Sequence, residues 1–480
     1  MRLIGLDSSE TLCNAPEFSG EVPVLIIGGG ACGLTAALTL KEAGVECVVL
    51  ERDAVPQGST ALSSGFIPAC GTRWQRDIGV TDSVDLLVAD VQHKNHDEAR
   101  PDIVRAVAAA SGPALEWLAD AHGLPFHVLE GFLYPGHTVA RMHAVPEKTG
   151  AGLIGRLSVA AEKAGVDLIT EAHVTALFAD EDGRVAGVRI IRPDGSLEDI
   201  GCQALILACN GYGGNHAMVK QYIPEIAEAE YAGHAGNQGE AVRWGKQLGA
   251  AYADMGAYQG HGSWATPHGQ LVTWALMIEG GIQVNAEGRR FWNEHQGYSE
   301  ASQHVIAQPG RFAWNVYDQR LHGLGMSFPD YAELYKAGAI REGFTASALA
   351  AQLQVPVGAL ADTLIEVGTM QRRAATDAFG RDFTTKPALE APYYAVKVTG
   401  ALFHTQGGLE VDTHTRVLKT DGTPLPNLFA GGGAARGISG AHVWGYLSGN
   451  GLLTAVSQGR IAGLQAAEAL RGIAQAAGGS

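Results

Sequence analysis

No apolar run in this 480-residue chain is long enough to cross a bilayer; short runs such as Val24–Ile27 and Ala204–Ala208 suit buried strands. Met1–Gly20 shows no basic start ahead of an apolar core, so no secretory signal is expected and the chain reads as cytoplasmic. Positive charge is in deficit. With 34 Lys and Arg against 50 Asp and Glu, the net charge of -16 argues against a nucleic-acid or anionic-membrane partner. The six cysteines, at 13, 32, 47, 70, 202 and 209, are scattered without metal-type pairing, and free buried thiols are expected. The histidines likewise lack metal-ligand spacing beside Cys or acids, so no metal site is expected. No internal repeat is evident, and 46% hydrophobic with 18% charged residues is ordinary globular composition.

Glycine is abundant, 64 residues spread along the chain, which suits tight turns and close backbone approach to a ligand. The length favours two domains. Val24-Leu25-Ile26-Ile27, just after Pro23, reads as a strand. Ala31–Gly44 shows helical spacing with Gly44 as its C-cap, and Val45–Leu50 reads as a second strand. This is a unit of the length a right-handed parallel crossover needs. At its first turn stands Gly28-x-Gly30-x-x-Gly33. The first glycine makes the turn, the second admits a pyrophosphate, and the third lets helix and strand pack, with helix N–H groups facing the phosphate charge. Glu51 ends the next strand, where a carboxylate accepts hydrogen bonds from an adenosine ribose. An acid there argues against NADP and does not separate FAD from NAD.

Further strands are predicted at Asp167–Thr170, Val174–Ala179, Val185–Ile191 and Ala204–Ala208, with Asp180–Gly183 as a hairpin turn. Asn427–Ala430 reads as a strand ahead of Gly431-Gly432-Gly433, and Asn450–Arg471 as a closing helix. The expected fold class is α/β: a Rossmann-like nucleotide-binding domain (1–256 and 405–480) with an inserted α+β second domain (257–404).

Gly58-Ser59-Thr60-Ala61-Leu62-Ser63-Ser64-Gly65, then Ala69-Cys70-Gly71-Thr72, resembles the second FAD-contacting segment of the fumarate reductase/3-ketosteroid dehydrogenase flavoprotein family. Leu205 to Tyr212 is similar to that family's strand and turn near the flavin. Gly281 to Asn285 and Gly288 to Glu294 resemble its cap signature. His404-Thr405-Gln406-Gly407-Gly408-Leu409 and Leu428 to Gly433 complete the set, in order along nearly the whole chain. The resemblance implies bound FAD, contacted by Gly28, Gly30, Ala31, Cys32, Gly33, Glu51, Arg52, Ser59, Thr60, Ser64, Gly65, Val174, Ala208, Asn210, Gly211, Gly432, Asn450 and Leu452. No histidine stands in Gly58–Gly65, where some members attach FAD covalently, so noncovalent FAD is expected. Gly433 stands where the family carries an acid or amide that reaches the ribityl chain.

Fumarate reductases of this family place one arginine shortly after the Asn-Glu of the cap signature and another near a C-terminal Gly-Gly-Asn. The matching positions here hold Tyr298 and Tyr446. Arginine clamps carboxylates and stays charged. Tyrosine can donate to a ketone oxygen or, when ionised or coupled to a relay, accept a proton. Ketosteroid dehydrogenases of the family use tyrosines in corresponding places, and Tyr446-x-Ser448 is similar to their A-ring desaturating form. The implied reaction desaturates the α,β bond of a cyclic ketone: Tyr298 takes the α-proton, Tyr446 and Ser448 serve the carbonyl or a proton relay, and the flavin accepts hydride. The two tyrosine roles could be exchanged. His261 and His404 match histidines that hold a substrate carboxylate in the fumarate reductase branch, so a cyclic keto acid such as 4-oxocyclohexanecarboxylate fits both ends. The alternative is a fumarate- or urocanate-reductase-like reductase of an unsaturated carboxylate. Expected partners are the small substrate and an electron acceptor of unassigned identity.

Overall fold

The computed structural model describes residues 1–6, 10–12, 16–383 and 386–478, so Cys13 lies outside the described residues. In the strand Gly20–Ile27, Val24 and Ile26 are buried in one layer and Leu25 and Ile27 in the other. Burial on both faces is the mark of a parallel strand between two layers. This strand pairs in parallel with Cys47–Leu50 on one side and Leu197–Leu207 on the other. Asp167–Ile169 extends the parallel set, and the late strand Pro424–Ala430 pairs with the far end of Leu197–Leu207. His173–Ala179 and Val185–Ile191 pair antiparallel across Asp180–Gly183, as the acidic turn predicts. The segment read as Ala204–Ala208 is the buried end of Leu197–Leu207, whose first half pairs with Val185–Ile191.

The helix Ala31–Glu42 ends earlier than its apolar pattern, and Gly44 follows with left-handed φ +74°. It packs along the closing helix Asn450–Gly478, which continues past the predicted Arg471. Gly459 and Gly463 permit that contact: a Cβ would lie 2.4 Å from the Cys32 carbonyl oxygen and 2.7 Å from the Ala36 carbonyl oxygen, respectively. Cys32, Cys47 and Cys70 are buried free thiols. Cys202 and Cys209 are free but only partly buried, a correction to the expectation of uniform burial.

A second sheet runs in the order Gln270–Leu271, Tyr258–Ala265, Tyr393–Thr405, Ala313–Asp318 and Ile282–Val284; Glu230–Tyr231 and Ile340–Gly343 also pair with Tyr393–Thr405. It has its own core around Trp274, Trp292, Tyr317 and Val396. The helix Tyr298–Ile306 lies against Tyr258–Ala265. Glycine makes this possible, because a Cβ on Gly260 would fall 2.1 Å from Ser302 Oγ and one on Gly262 2.3 Å from Ala301 Cβ. Among the described residues no helix is long and apolar enough to cross a membrane, and no cluster of His, Cys, Asp and Glu could hold a metal ion.

Candidate functional site

A single long cleft of about 1910 Å³, its open mouth included, is lined by residues of both sheets. At one end Gly28 turns the chain with φ +109°, where a Cβ would meet the Ala208 carbonyl oxygen at 2.5 Å. A Cβ on Gly33 would lie 1.9 Å from the Gly28 carbonyl oxygen, so only glycine lets the helix begin this close to the turn. That helix starts after Gly30 with no side-chain cap from the N-cap residue and no acid in its first turn. Its Ala31 N–H donates to Thr60 Oγ1 at 3.0 Å. A helix start without an acid and its positive end fit a pyrophosphate.

Glu51 accepts from Gly29 N–H at 2.8 Å and from Asp53 N–H at 3.0 Å, one on each oxygen, which leaves lone pairs for ribose hydroxyls. Arg52 is ion-paired with buried Glu240. Ser59 Oγ accepts from Asn210 Nδ2 at 2.8 Å and Asn237 Nδ2 at 2.9 Å, so its own O–H is left to donate into the cleft. The glycine at 433 also has a physical reason: a Cβ there would lie 2.0 Å from Asn210 Oδ1. Of the expected cofactor residues, Gly28, Gly30, Ala31, Cys32, Glu51, Arg52, Ser59, Thr60, Ser64, Gly65, Val174, Ala208, Asn210, Gly432 and Leu452 line the cleft. Gly33, Gly211 and Asn450 stand behind its wall. Gly211 is held against Thr405 Oγ1, and Asn450 donates to Ser439 Oγ at 3.2 Å.

The other end of the cleft gathers Tyr298, Tyr446, Ser448, His261 and His404. Tyr298 begins its helix directly after Gly297, whose φ of +148° favours glycine. The preceding loop is pinned by Glu294, which accepts from Gln283 N–H at 3.0 Å and pairs with Arg290 at 2.6 Å and Arg381 at 2.8 Å. Burial alone would raise the Glu294 pKa, but the two guanidiniums bring it down to about 2. The Tyr298 ring stacks on His261 at 4.7 Å and meets Tyr446 edge-on at 6.0 Å. Burial holds both phenols above the ordinary tyrosine pKa. The Ser448 hydroxyl opposes this at Tyr298, and the Gly451 and Gly449 amides oppose it at Tyr446. His137 Nε2 donates to the Ser448 carbonyl at 2.9 Å, fixing the turn that carries Tyr446 and Ser448.

Burial pushes His261 down to about 3 and His404 to about 4, so both rings are neutral near pH 7. His261 Nδ1 accepts from Ser263 N–H at 3.0 Å, which leaves Nε2 as the N–H donor. Among the described residues lining the cleft, Arg52 is the one arginine or lysine, and it sits at the other end. Tyr134, Thr273, Trp274, Phe403 and Gln406 also line this end and were not singled out from the sequence. Tyr134 lies in an irregular Leu133-Tyr134-Pro135-Gly136 stretch with no periodicity to mark it. Gln406 lay within the His404–Leu409 motif, and its polar side chain beside a histidine was the available signal.

A family model described as FAD binding domain matches residues 23–452. A probable fumarate reductase of Shewanella frigidimarina is 29% identical over 452 residues, covering 94% of this chain and 75% of its own. The open conformation of a flavocytochrome c3 fumarate reductase superposes with a TM-score of 0.79 at 28% identity, covering 94% of this chain and 79% of that one. The 3-ketosteroid-Δ4-(5α)-dehydrogenase of Rhodococcus jostii RHA1 shares the fold, with a TM-score of 0.75 at 24% identity and coverage of 94% and 98%. The acid-free helix start, the glycine turn and the family match agree on the cofactor, and the chain belongs to this FAD-binding family as an FAD-dependent oxidoreductase acting on CH–CH bonds.

Proposed function

We propose that this enzyme desaturates the α,β carbon–carbon bond of a cyclic ketone. The observation that carries the reading is two facing phenols, Tyr298 and Tyr446, in a cleft whose one arginine or lysine among the described lining residues, Arg52, is ion-paired with Glu240 beside Glu51. Tyr446 O–H donates to the ketone oxygen, which draws electrons from the α-carbon and makes its proton acidic. The α C–H bond breaks, its electron pair forms the enolate, and the proton passes to the Tyr298 oxygen as that phenol hands its own proton to the Ser448 hydroxyl. Ser448 lines the cleft and passes its proton on to solvent at the open mouth, so one proton leaves for each hydride taken from the substrate. The bound FAD supplies an acceptor for hydride from the β-carbon. Trp274, Phe403, Leu271 and Tyr134 give the ring an apolar enclosure and exclude water. The five described cysteines are free thiols, a state that a reducing compartment favours, and the proposed location is cytoplasmic.

A second reading, reduction of an unsaturated carboxylate, draws support from the two retained histidines and from the relative's name as a fumarate reductase. Anaerobic mixing separates the two. Under the first reading a saturated cyclic ketone bleaches the flavin absorbance. If no ketone bleaches it, and fumarate-like acids reoxidise the reduced enzyme, the second reading takes its place.

A further inference from the structure

Behind His404 lies a chain of side chains that the reaction scheme does not use. Asn450 Nδ2 donates to Ser439 Oγ at 3.2 Å, and Ser439 O–H donates to Gln406 Oε1 at 3.0 Å. The other half of the Gln406 amide, Nε2, lies 2.9 Å from His404 Nδ1. Ser439 and Asn450 are both buried, at 1% and 0% exposure, and Gln406 is 4% exposed, so the chain is fixed inside the protein. An amide N–H can only donate, which makes His404 Nδ1 the acceptor and puts the ring proton on Nε2. The Thr405 carbonyl lies 3.4 Å from the same nitrogen, long for N–H···O. Nδ1 cannot donate to one neighbour while accepting from the other, and the shorter contact decides.

The Nε2 side of this ring is also placed. A Cβ on Gly451 would lie 2.7 Å from both His404 Cε1 and Nε2, so the ring edge rests on the Gly451 backbone. The Gly451 amide is one of the groups facing the Tyr446 hydroxyl, and the two rings meet edge-on at 5.7 Å. His404 and Tyr446 therefore bring their polar ends to the same glycine. Tyr446 is the titratable side chain whose ring packs on His404, and burial and the Thr405 carbonyl are the influences on its pKa.

We propose that Gln406 is a positioning residue that locks His404 as a neutral Nε2–H donor, and that the chamber thereby selects an uncharged carbonyl compound over one bearing a carboxylate. A neutral N–H beside a phenol O–H suits the oxygen of a ketone. A buried carboxylate needs a cation and finds none in the described lining of this end. The proposal deepens the ketone reading, and its choice of substrate class rests on that reading. It narrows the substrate from keto acid to neutral ketone.

The test uses the FAD-loaded full chain. Nitrogen-15 NMR of labelled histidines, with the His404 signal identified by its loss in His404→Asn, is expected to show a neutral Nε2–H tautomer at neutral pH. Gln406→Glu places a carboxylate on Nδ1 and is expected to give an imidazolium below neutral pH. Dissociation constants for cyclohexanone and 4-oxocyclohexanecarboxylate, read from flavin absorbance, should then swing by about tenfold towards the carboxylate relative to wild type. Gln406→Leu, which removes the lock without adding charge, should not produce that swing. A wild-type Nδ1–H tautomer or imidazolium overturns the proposal. So does a folded, flavin-loaded Gln406→Glu with an unchanged ratio of the two constants. If neither compound reduces the wild-type flavin, the desaturation reading falls, while the tautomer and the affinity ratio still decide the role of Gln406.

Discussion

At the scale of single residues, the proposed chemistry depends on one hydroxyl in a place that packing would hold without it. Tyr298→Phe keeps the ring that stacks on His261 and meets Tyr134 and Tyr446 edge-on. It removes only the oxygen assigned as base. Flavin reduction by a ketone substrate is expected to slow by roughly 10²–10⁴-fold, with FAD retained and the melting temperature nearly unchanged, as anaerobic stopped-flow and thermal melts would show. Unchanged reduction rates would remove Tyr298 from the mechanism. Tyr298, Tyr446, Ser448, His261 and His404 were legible because their types and order along the chain resemble a known family. Tyr134 and Trp274 carried no such mark. Their part is set by which distant segments fold against Tyr298, and spacing along the chain does not report that.

Among the elements, the turn into the first helix is the proposed FAD cradle, and its sequence was legible because Gly28 and Gly33 each answer a local steric demand. Gly33→Ala would drive a Cβ to 1.9 Å from the Gly28 carbonyl oxygen, a contact the backbone can relieve only by opening the turn. Purified protein is expected to lose most of its flavin absorbance and to be destabilised by about 3 kcal/mol or more; full flavin content would contradict the cradle. The strand ends were less legible. Leu197–Leu207 read from its sequence as a short strand at its apolar end, because its first half is half-exposed and mixes charged residues with apolar ones. Pairing with Val185–Ile191 on one side and with the start of Gly20–Ile27 on the other holds that half in the sheet.

For the molecule as a whole, burial of histidine sets a pH dependence. His137, His143, His295 and His404 are held down to about 4 and His261 to about 3, burial being the first cause in each, against an ordinary 6.5. Between those values the unfolded chain binds protons that the folded chain refuses, so stability falls as pH drops through 6.5 towards 4 and these groups remove none above neutrality. The melting temperature is expected to fall by ~5 °C or more across that acid window, measured by calorimetry at matched ionic strength; a flat profile would mean these rings are not neutral in the fold. The amino-acid sequence by itself determined the cofactor loop, because a phosphate cradle needs glycines and a helix start within a few consecutive residues. Its resemblance to a known family also pointed to Tyr298 and Tyr446 as the residues to look for over the flavin. Tertiary structure alone decided that these two residues, far apart in the chain, face each other beside two neutral histidines. Ring contacts, burial and the tautomer set by Gln406 arise only when separate strands and helices close on one buried chamber.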